Sequence, residues 1–308
     1  DEVFGDKVCA GGLTRKGLTI LDVPDDVIEH KIQNTAVFSK NRKSQTNAPM
    51  PFVFTLKRKD LGAWQAGLLE NTSVEVRKNA KVTGIEDGKV IINKAEEIEY
   101  QYLVGADGYA SIVRKHLKIP MEKSLIGIQY MVPDPVENPQ LEVHLHSKYF
   151  KSWYAWSFPH EKSIAVGCVC DPTLMSSKKL KENFHRWLDD KGIDISNAEY
   201  QSAPIAYDYR GIQFGDVYLA GEAAGLASGL TGEGIYQCLV SGEEVARRIL
   251  GEQDESEEFR AVLKYNSIQE KIMKFSCRAG PFRGMIHALI VILLNNKRMK
   301  AKIRNSFS

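Results

Sequence analysis

The sequence has no strong excess of positive or negative charge. Its 308 residues carry 41 lysines and arginines against 39 aspartates and glutamates, which leaves a net charge of +2. Proteins that bind nucleic acids neutralise many phosphates and usually carry a pronounced basic excess for that purpose. The near balance gives no support to a nucleic-acid partner, and we expect none.

Cysteine is also scarce, and its spacing argues against two common uses. The five cysteines form no C-x-x-C pair and show no zinc-like pairing with the seven histidines. Neither a disulfide framework nor a metal site is therefore predicted. Unpaired thiols are typical of a reducing compartment, so we expect a cytoplasmic protein.

Long hydrophobic runs are absent as well. The apolar segment from Met285 to Leu294 has ten residues, whereas a helix that crosses a bilayer needs roughly 20. Basic residues follow it at positions 297, 298, 300, 302 and 304. An apolar helix beside cations can lie on an anionic bilayer surface, or it can dock on the protein's own core. Both interpretations are kept, the first as peripheral contact of residues 285–304 with the inner face of a membrane.

Glycine is concentrated between Val217 and Gly242. A strand-like apolar stretch ends at Gly221-Glu222, and further glycines at 229, 232 and 234 precede a helical pattern. Glycine lets the backbone approach a ligand closely, and the first N–H groups of a helix lack intrahelical partners and favour negative charge. The pattern indicates an anion or cofactor cradle; the alternative is a strand-to-helix turn whose glycines serve packing alone.

Three other strings accompany this cluster. GADGYASIVR at residues 105–114 also follows a short apolar strand and precedes a helix-compatible run. YAWSFP occupies residues 154–159, with Val-Gly at 166–167, and Cys-Ala-Gly-Gly occupies residues 9–12. Their order along the chain makes a chance combination improbable.

Together the four strings resemble one group of proteins. The two glycine-rich strings are similar to motifs of FAD-dependent oxidoreductases related to para-hydroxybenzoate hydroxylase. The other two resemble the YxWxFP…VGxG signature and the Cys-Gly-Gly segment of the geranylgeranyl reductase group. The resemblance implies an α/β (α+β) fold: a Rossmann-like FAD-binding domain, an antiparallel-sheet substrate domain and a helical C-terminal tail.

One element of that group is missing from the sequence. Such flavoproteins open with a strand, a GxGxxG turn and a helix that receive the FAD pyrophosphate, and an acidic residue then holds the ribose. This chain begins at Asp1, and its first residues already match the segment after the second strand of the fold. We expect an N-terminal truncation of about 30 to 40 residues, one βαβ opening without its last strand. The alternative is a natural protein that has lost FAD.

The motif order predicts the domains. We expect residues 1–116 and 206–250 to form the FAD-binding domain, residues 117–205 the substrate domain and residues 251–308 a helical region. Residues 36–39 and 52–56 are predicted to pair as strands across a polar loop, and Asp87-Gly88 to close a hairpin in a meander of strands over 74–76, 81–86 and 89–93. Helices are predicted over 60–70, 180–191 and 233–250.

The resemblance also implies the residues that bind FAD. A guanidinium at Arg58 suits a phosphate, although a solvated surface arginine is the alternative. Asp107 would shape a turn whose amides reach the pyrophosphate, and the backbone at Val82 would meet the adenine. Amides of residues 232–235 would face the flavin and stabilise its reduced anion. The full set is Arg58, Val82, Asp107, Gly108, Gly221, Glu222, Gly232, Glu233, Gly234 and Ile235.

Two residues of the second motif depart from the family pattern. The family usually has Asp where this chain has Glu222, and that short carboxylate bonds ribityl or ribose hydroxyls. Because hydrogen-bond geometry tolerates little extra reach, the backbone or rotamer of Glu222 must adjust. Many relatives also carry Pro at the position of Gly229.

The implied substrate site combines aromatic rings with glycines. Strand alternation places Tyr154, Trp156 and Phe158 on one face, as a wall for a prenyl chain or as an ordinary sheet core. The glycines implied are Gly11, Gly12 and Gly167. Cys9 resembles a cysteine at the flavin's substrate face, which could donate a proton or only shape the cavity.

The resulting hypothesis is an FAD-dependent oxidoreductase that reduces carbon–carbon double bonds of a geranylgeranyl-type isoprenoid or prenyl lipid. No GxGxxG marks a nicotinamide domain, so the electrons would come from transiently bound NAD(P)H or from a transiently bound ferredoxin-like protein. The alternatives are a flavin-dependent monooxygenase or halogenase on the same scaffold, and a non-catalytic lipid-binding remnant.

Overall fold

The computed structural model describes residues 3–134 and 138–296. By packing, the chain divides into two compact units. Unit 1 comprises residues 1–6, 62–124 and 204–271, and unit 2 comprises residues 7–61, 125–203 and 272–308. Each unit has its own sheets and helices.

The strands are β1 (Gly12–Thr14), β2 (His30–Ile32), β3 (Asn34–Ser39), β4 (Arg42–Asn47), β5 (Val53–Thr55), β6 (Val82–Glu86), β7 (Lys89–Ile92), β8 (Glu96–Glu99), β9 (Leu103–Gly105), β10 (Ser124–Pro133), β11 (Gln140–Leu145), β12 (Tyr154–Pro159), β13 (Ser163–Cys170), β14 (Glu199–Ala206), β15 (Gln213–Phe214) and β16 (Val217–Leu219). The helices are α1 (Arg15–Leu21), α2 (Arg58–Gly67), α3 (Ile112–His116), α4 (Ser147–Phe150), α5 (Ser177–Lys191), α6 (Ile235–Ile249), α7 (Glu257–Arg278) and α8 (Arg283–Leu294). Short 3₁₀ turns cover Asp25–Val27 and Gly280–Phe282.

A seven-stranded sheet in the order β14-β10-β13-β12-β11-β3-β4 forms the centre of unit 2. Strand β11 runs parallel to β3, whereas the pairs β10–β13, β13–β12, β12–β11 and β3–β4 are antiparallel. Its inner strand β13 ends in six consecutive buried residues, because both of its faces are covered. Helix α5 contacts β13 and buries Leu180, Phe184, Trp187 and Leu188 at helical spacing.

The strand pairing near residue 40 differs from the prediction. Strand β3 pairs with β4, a segment that was predicted to be a polar loop, and β5 pairs instead with β1 and β2. The predicted pairing of 36–39 with 52–56 was therefore wrong. Strand β4 lies at the sheet edge, and only Ser44 among its six residues is buried, so its sequence lacks the apolar alternation that marks a strand.

The same pairing changes the domain boundaries. Residues 7–61 were predicted to belong to the FAD-binding domain, but they belong to unit 2. The reason is the parallel pairing of β3 with β11, in which Val37 stands opposite Val143 and joins this early segment to the seven-stranded sheet. From the predicted first part, residues 62–116 remain in unit 1.

Unit 1 contains two three-stranded sheets, β15-β16-β9 and β6-β7-β8. The predicted hairpin is confirmed, since Asp87 and Gly88 connect the antiparallel strands β6 and β7 and Gly88 has a φ of +76°. The predicted strand over residues 74–76 was wrong, because that segment has no strand structure and exposes Val74 and Val76. Helices α3 and α6 bury Val113, Val240 and Val245 in the core of this unit.

The predicted helical C-terminal region contains α7 and α8. Within the described residues no single helix is long and apolar enough to cross a membrane; the bent pair Glu257–Arg278 and Gly280–Leu294 passes that test jointly, by length and composition only. The predicted basic cluster at 297–304 lies outside the described residues.

Candidate cofactor and substrate sites

The two glycine-rich motifs meet at one sheet edge of unit 1. Strands β9 and β16 are parallel neighbours with Gly105 opposite Leu219, and the N–H of Ala220 donates to the carbonyl of Gly105 at 2.9 Å. Asp107-Gly108 and Gly221-Glu222 follow directly after these strand ends. The carboxyl ends of parallel strands are where open α/β sheets bind ligands. The structure thus brings together residues that the sequence indicated separately.

Asp107 organises the start of α3. Its Oδ2 accepts hydrogen bonds from the N–H groups of Ile112 at 2.7 Å and Val113 at 3.5 Å, and Ser111 Oγ accepts from Arg114 N–H at 2.9 Å. These oxygens satisfy N–H groups that lack intrahelical partners. Gly108 has a φ of +75° and open space where a Cβ would lie. The pyrophosphate contact of this turn stays a prediction.

Arg114 links the two motifs and was not assigned a role from the sequence. Its buried guanidinium donates to the carbonyls of Ala223 at 3.2 Å, Asp208 at 2.9 Å and Pro120 at 2.9 Å. A buried charge must be satisfied in this way to be tolerated. Its place at the end of the GADGYASIVR string was the available signal, whereas nothing in the sequence marked Asp208.

Two glycines of the second motif are required by the protein's own packing. Gly221 has a φ of +56°, and a Cβ there would lie 2.6 Å from Cys238 Sγ. Gly225 has a φ of +75°, and a Cβ there would lie 2.4 Å from the carbonyl carbon of Asp208. Both conformations are ones that L side chains rarely adopt.

Gly234 is different because the protein does not require a glycine there. Its φ is −146°, and the nearest atom to an added Cβ would be Cβ of Ala227 at 3.7 Å, an ordinary contact. The residue forms the N-cap of α6. Within the first turn of α6, the buried side-chain oxygen Oε1 of Gln237 has no hydrogen-bond partner among the described residues.

The four predicted flavin-facing amides divide into two pairs. The N–H of Gly232 donates to the carbonyl of Ser228 at 2.9 Å, and the N–H of Glu233 donates to Thr231 Oγ1 at 3.4 Å. The N–H groups of Gly234 and Ile235 stand at the start of α6 and have no acceptor among the described residues. This second pair is better placed to bind a ligand.

The two departures from the family pattern have packing explanations. The buried carboxylate of Glu222 accepts a hydrogen bond from the N–H of Ala206 at 3.1 Å, a partner that its extra methylene helps it to reach. An added Cβ at Gly229 would lie 2.6 Å from Cδ2 of Tyr207, so a proline would clash with that ring. The ribose or ribityl contact of Glu222 stays a prediction.

Arg58 and Val82 lie in different units. Arg58 is the half-buried first residue of α2 in unit 2, and its guanidinium has no acceptor among the described residues. Val82 begins β6 in unit 1, next to a register shift between Val82 and Gly84. Their contacts with phosphate and adenine stay predictions.

In unit 2, the segment from Cys9 to Gly12 is held along its backbone. Gln129 Nε2 donates to the carbonyl of Cys9 at 3.1 Å, and the N–H of Leu56 donates to the carbonyl of Gly11 at 3.0 Å. The half-buried Cys9 Sγ accepts from the N–H of Gly11 at 3.3 Å. An added Cβ at Gly11, whose φ is +73°, would lie 2.3 Å from the carbonyl oxygen of Leu56.

A buried network continues from this segment. His160 Nε2 lies 3.1 Å from the carbonyl oxygen of Ala10, and its Nδ1 is hydrogen-bonded to Glu29, which Lys57 Nζ approaches at 3.2 Å. Burial raises the pKa of Glu29, but the contacts with His160 and Lys57 outweigh burial, so its pKa lies below the ordinary value. None of these three side chains was assigned a role from the sequence, and the only signal was that His160 follows YAWSFP.

The predicted substrate residues form two ring-on-glycine contacts. A Cβ at Gly12 would lie 2.4 Å from Cε1 of Phe158, and a Cβ at Gly167 would lie 2.3 Å from Cζ2 of Trp156. The rings of Tyr154 and Trp156 meet edge to face with centroids 6.1 Å apart. Trp156 Nε1 is buried and has no acceptor among the described residues. The structure therefore groups these residues, while their contact with substrate stays a prediction.

Comparison with known proteins identifies the fold family. Residues 58–238 match the family described as FAD binding domain. The chain belongs to this FAD-binding family. A geranylgeranyl diphosphate reductase of Rhodobacter capsulatus is 25% identical over 260 residues, 78% of this chain and 65% of the relative. A digeranylgeranylglycerophospholipid reductase 2 of Methanopyrus kandleri is 24% identical over 286 residues, 84% of this chain and 72% of the relative.

Solved structures agree on the fold. A geranylgeranyl bacteriochlorophyll reductase-like protein of Thermoplasma acidophilum superposes with a TM-score of 0.75 at 19% identity, covering 96% of this chain and 84% of that one. The flavin-dependent brominase Bmp2 gives 0.70 at 15% identity, covering 99% and 85%. The predicted mixed α/β FAD-binding fold and the resemblance to geranylgeranyl reductases are confirmed. The chain spans about 65% of the length of the Rhodobacter relative.

The residues of unit 1 fit the cofactor of the FAD-binding family. The space beside Gly108 and Gly234 lets a ligand approach the backbone closely. The start of α6 at Ile235 offers N–H groups that have no acceptor among residues 3–134 and 138–296 to an electron-rich ring. The unpartnered Oε1 of Gln237 adds a buried acceptor beside them. This donor and acceptor set suits a flavin and its phosphates.

Proposed function

We propose that this protein is an FAD-dependent oxidoreductase that reduces carbon–carbon double bonds of a geranylgeranyl-type isoprenoid. Membership of the FAD-binding family and the reductase names of its relatives support the reaction class. The observation that carries the proposal is Gly234, a glycine at the start of α6 that the packing of unit 1 leaves unexplained. Close approach of a flat ligand explains it.

Bound FAD supplies the hydride chemistry, and the protein binds, orients and tunes it. The N–H groups of Gly234 and Ile235 sit at the positive end of α6, where they stabilise negative charge on a ring held against them. Arg58 offers a planar fork of donors to a phosphate. Asp107 keeps the turn at Gly108 in its left-handed conformation by fixing the start of α3.

In unit 2, the rings of Tyr154, Trp156 and Phe158 provide apolar area for a prenyl chain. Cys9 is the candidate proton donor to a substrate carbon, and Gln129 and His160 hold the carbonyl groups of Cys9 and Ala10. Gly11 and Gly12 keep the segment thin enough to pass His160 and Phe158.

The test compares two glycines of the same region. Gly234→Ala adds a methyl group where we expect the flavin, and Gly242→Ala adds one inside α6 with no atom within 4 Å. FAD affinity is measured by fluorescence quenching, on the chain together with any residues that precede Asp1 in its natural reading frame. We expect Gly234→Ala to lose about tenfold or more in affinity with little loss of stability, and Gly242→Ala to bind as the parent does. Equal FAD affinity in both variants would contradict the proposal.

Turnover separates the three functions. Anaerobic loss of substrate double bonds with reduced flavin supports the reductase, whereas a product that forms only with oxygen points to a monooxygenase or halogenase. A colourless protein that carries isoprenoid is the outcome for a lipid-binding remnant.

A separate measurement identifies the electron donor. Bleaching of the flavin by NAD(P)H alone identifies NAD(P)H, and bleaching only after a ferredoxin-like protein is added identifies that protein.

A further inference from the structure

Charge is distributed unevenly between the body of the chain and its C-terminal part. Residues 271–308 contain nine lysines and arginines and no aspartate or glutamate. Because the whole chain has a net charge of +2, residues 1–270 carry a net charge of −7. The cations are thus concentrated in the last part of the chain, which is the part that contains the end of α7 and all of α8.

The same part exposes large apolar side chains. Phe275 on α7, Phe282 and Met285 are 68%, 63% and 68% exposed. We define the C-terminal apolar surface as the exposed residues of this region, namely Ile272, Phe275, Phe282, Met285, Leu289, Ile292 and Leu293. Burying large apolar side chains stabilises a protein, so their exposure here leaves that stabilisation available to a partner surface.

The spacing of Phe282, Met285, Leu289 and Ile292 places the α8 part of this surface on one side of the helix. Positions 282, 285, 289 and 292 recur every three or four residues, whereas His287 and Val291 are buried on the other side. That buried side contacts β3, β4 and α4 of unit 2. Helix α8 is therefore already docked on the sheet, and its outward side is apolar as well.

We propose that the C-terminal apolar surface lies on an anionic lipid bilayer, with the exposed cations Lys271, Lys274 and Arg278 contacting the headgroups. The twelve residues of α8 are too few to span a bilayer, which needs roughly 20, but they suit a helix in the interface plane. Each lysine or arginine near an anionic surface strengthens the attachment by roughly fivefold.

Charge disfavours the other occupants. A second copy on the same surface would bring nine like charges against nine, without any acidic partner in this part of the chain. A nucleic acid would neutralise the cations but leave the phenylalanine and leucine side chains exposed. An anionic bilayer satisfies the charge and the apolar area together, and this holds whether or not the proposed reaction is correct.

Sedimentation with vesicles tests the proposal. We expect the protein to bind vesicles that contain about 30% phosphatidylglycerol and to bind pure phosphatidylcholine vesicles much more weakly, with binding to the former reduced by high salt. The triple variant F275S/F282S/M285S should bind the anionic vesicles about tenfold or more weakly, because it removes three exposed anchors. Lys274→Gln with Arg278→Gln should weaken binding at low salt.

The control is Leu250→Ser, which removes an 81% exposed leucine in unit 1 and should leave vesicle binding unchanged. All substituted side chains of the triple variant are exposed, so circular dichroism and thermal unfolding should match the parent. Absence of binding to the anionic vesicles, or equal binding by the triple variant and the parent, would overturn the proposal. So would a dimer in sedimentation velocity that the triple variant dissociates, since the surface would then join two copies.

Discussion

Arg114 and Asp208 form a buried ion pair in unit 1, with Nη2 and Oδ2 at 3.4 Å. The guanidinium also donates to the carbonyl of Ala223, and the carboxylate accepts from the N–H of Glu122 at 2.9 Å. Because Ala223 lies in the second glycine-rich motif and Arg114 ends the first, the hydrogen bond from Arg114 to Ala223 connects the two motifs, and the ion pair with Asp208 holds the guanidinium in place. A residue with no assigned contact to the cofactor thus holds the strand ends that we expect to bind it.

Replacement of Arg114 should be strongly destabilising. Arg114→Met removes the buried cation that pairs with Asp208 and leaves the carbonyls of Ala223, Asp208 and Pro120 without their guanidinium donor. We expect the free energy of unfolding to fall by about 3–5 kcal/mol. Urea unfolding measures this loss. The control is Arg210→Met, because Arg210 contacts the same carboxylate at 3.0 Å from an exposed position. Equal losses in the two variants would contradict a special role for the buried pair.

Much of unit 1 was predictable because its signals are local. A strand that ends in Gly-x-Asp-Gly and another that ends in Gly-Glu can each be predicted from a few neighbouring residues. Because the two strands are parallel neighbours, their two motifs lie at the same edge of the sheet. The hairpin at Asp87-Gly88 is a similar case, since two residues determine the turn.

The contacts that were missed depend on residues far apart in the chain. Glu29, Lys57 and His160 form their network only because β2, β5 and the end of β12 come together, and no periodicity records that. Edge strand β4 escaped because solvent faces most of its side chains, which removes the alternation that a half-buried strand shows. The spacing of apolar residues predicts an element only when one of its faces is buried. Strand β4 has almost no buried residues, and the Glu29 network is buried by residues that are distant in the sequence.

The contact between Gly167 and Trp156 predicts a coupled pair. Gly167→Ala places a methyl group against the indole across the β12–β13 pair, and overpacking of this kind costs about 1–3 kcal/mol. Trp156→Phe removes the atoms that clash. The double variant should therefore be more stable than the sum of the two single losses implies, by about 1 kcal/mol or more in a denaturation cycle. If the two stability losses were strictly additive, the Trp156 indole would have to move away from the added methyl group at no energetic cost.

Helix α8 predicts a pH dependence of stability. Burial lowers the pKa of His287 from 6.5 to about 4, with smaller contributions from His146 and Arg283. Between pH 6.5 and about pH 4, His287 is protonated in the unfolded chain but not in the folded protein, so lowering the pH favours unfolding. The free energy of unfolding should fall as the pH drops from 6.5 towards 4, by up to about 3 kcal/mol from this group.

His287→Leu should remove that part of the pH dependence. The buried Nδ1 has no partner among the described residues, so the variant should be at least as stable as the parent at neutral pH. Urea unfolding at neutral pH and near pH 4 gives the difference for both proteins. Parallel curves for parent and variant would mean that His287 takes up a proton in the folded protein as readily as in the unfolded chain.

The cysteines should differ sharply in their reaction with iodoacetamide. Burial raises the pKa of Cys170 to about 12 and that of Cys168 well above its ordinary value, so at about pH 8 only about one Cys170 thiol in ten thousand is ionised. Cys9 is half-buried and Cys238 is exposed. We expect peptide mass spectrometry to find Cys9 and Cys238 alkylated in the folded protein, and Cys168 and Cys170 only after denaturation.

The same reagent tests the assignment of Cys9 to the substrate site. If a prenyl chain lies against Cys9, prior addition of an isoprenoid diphosphate should slow alkylation of Cys9 by about tenfold and leave Cys238 unchanged, because only the first thiol is covered. His160→Ala should raise the rate at Cys9, since the Ala10 carbonyl loses the partner that fixes the adjoining backbone. Equal protection of Cys9 and Cys238 would indicate a general effect of the lipid, and Cys9 would then lose its place in the proposed reaction.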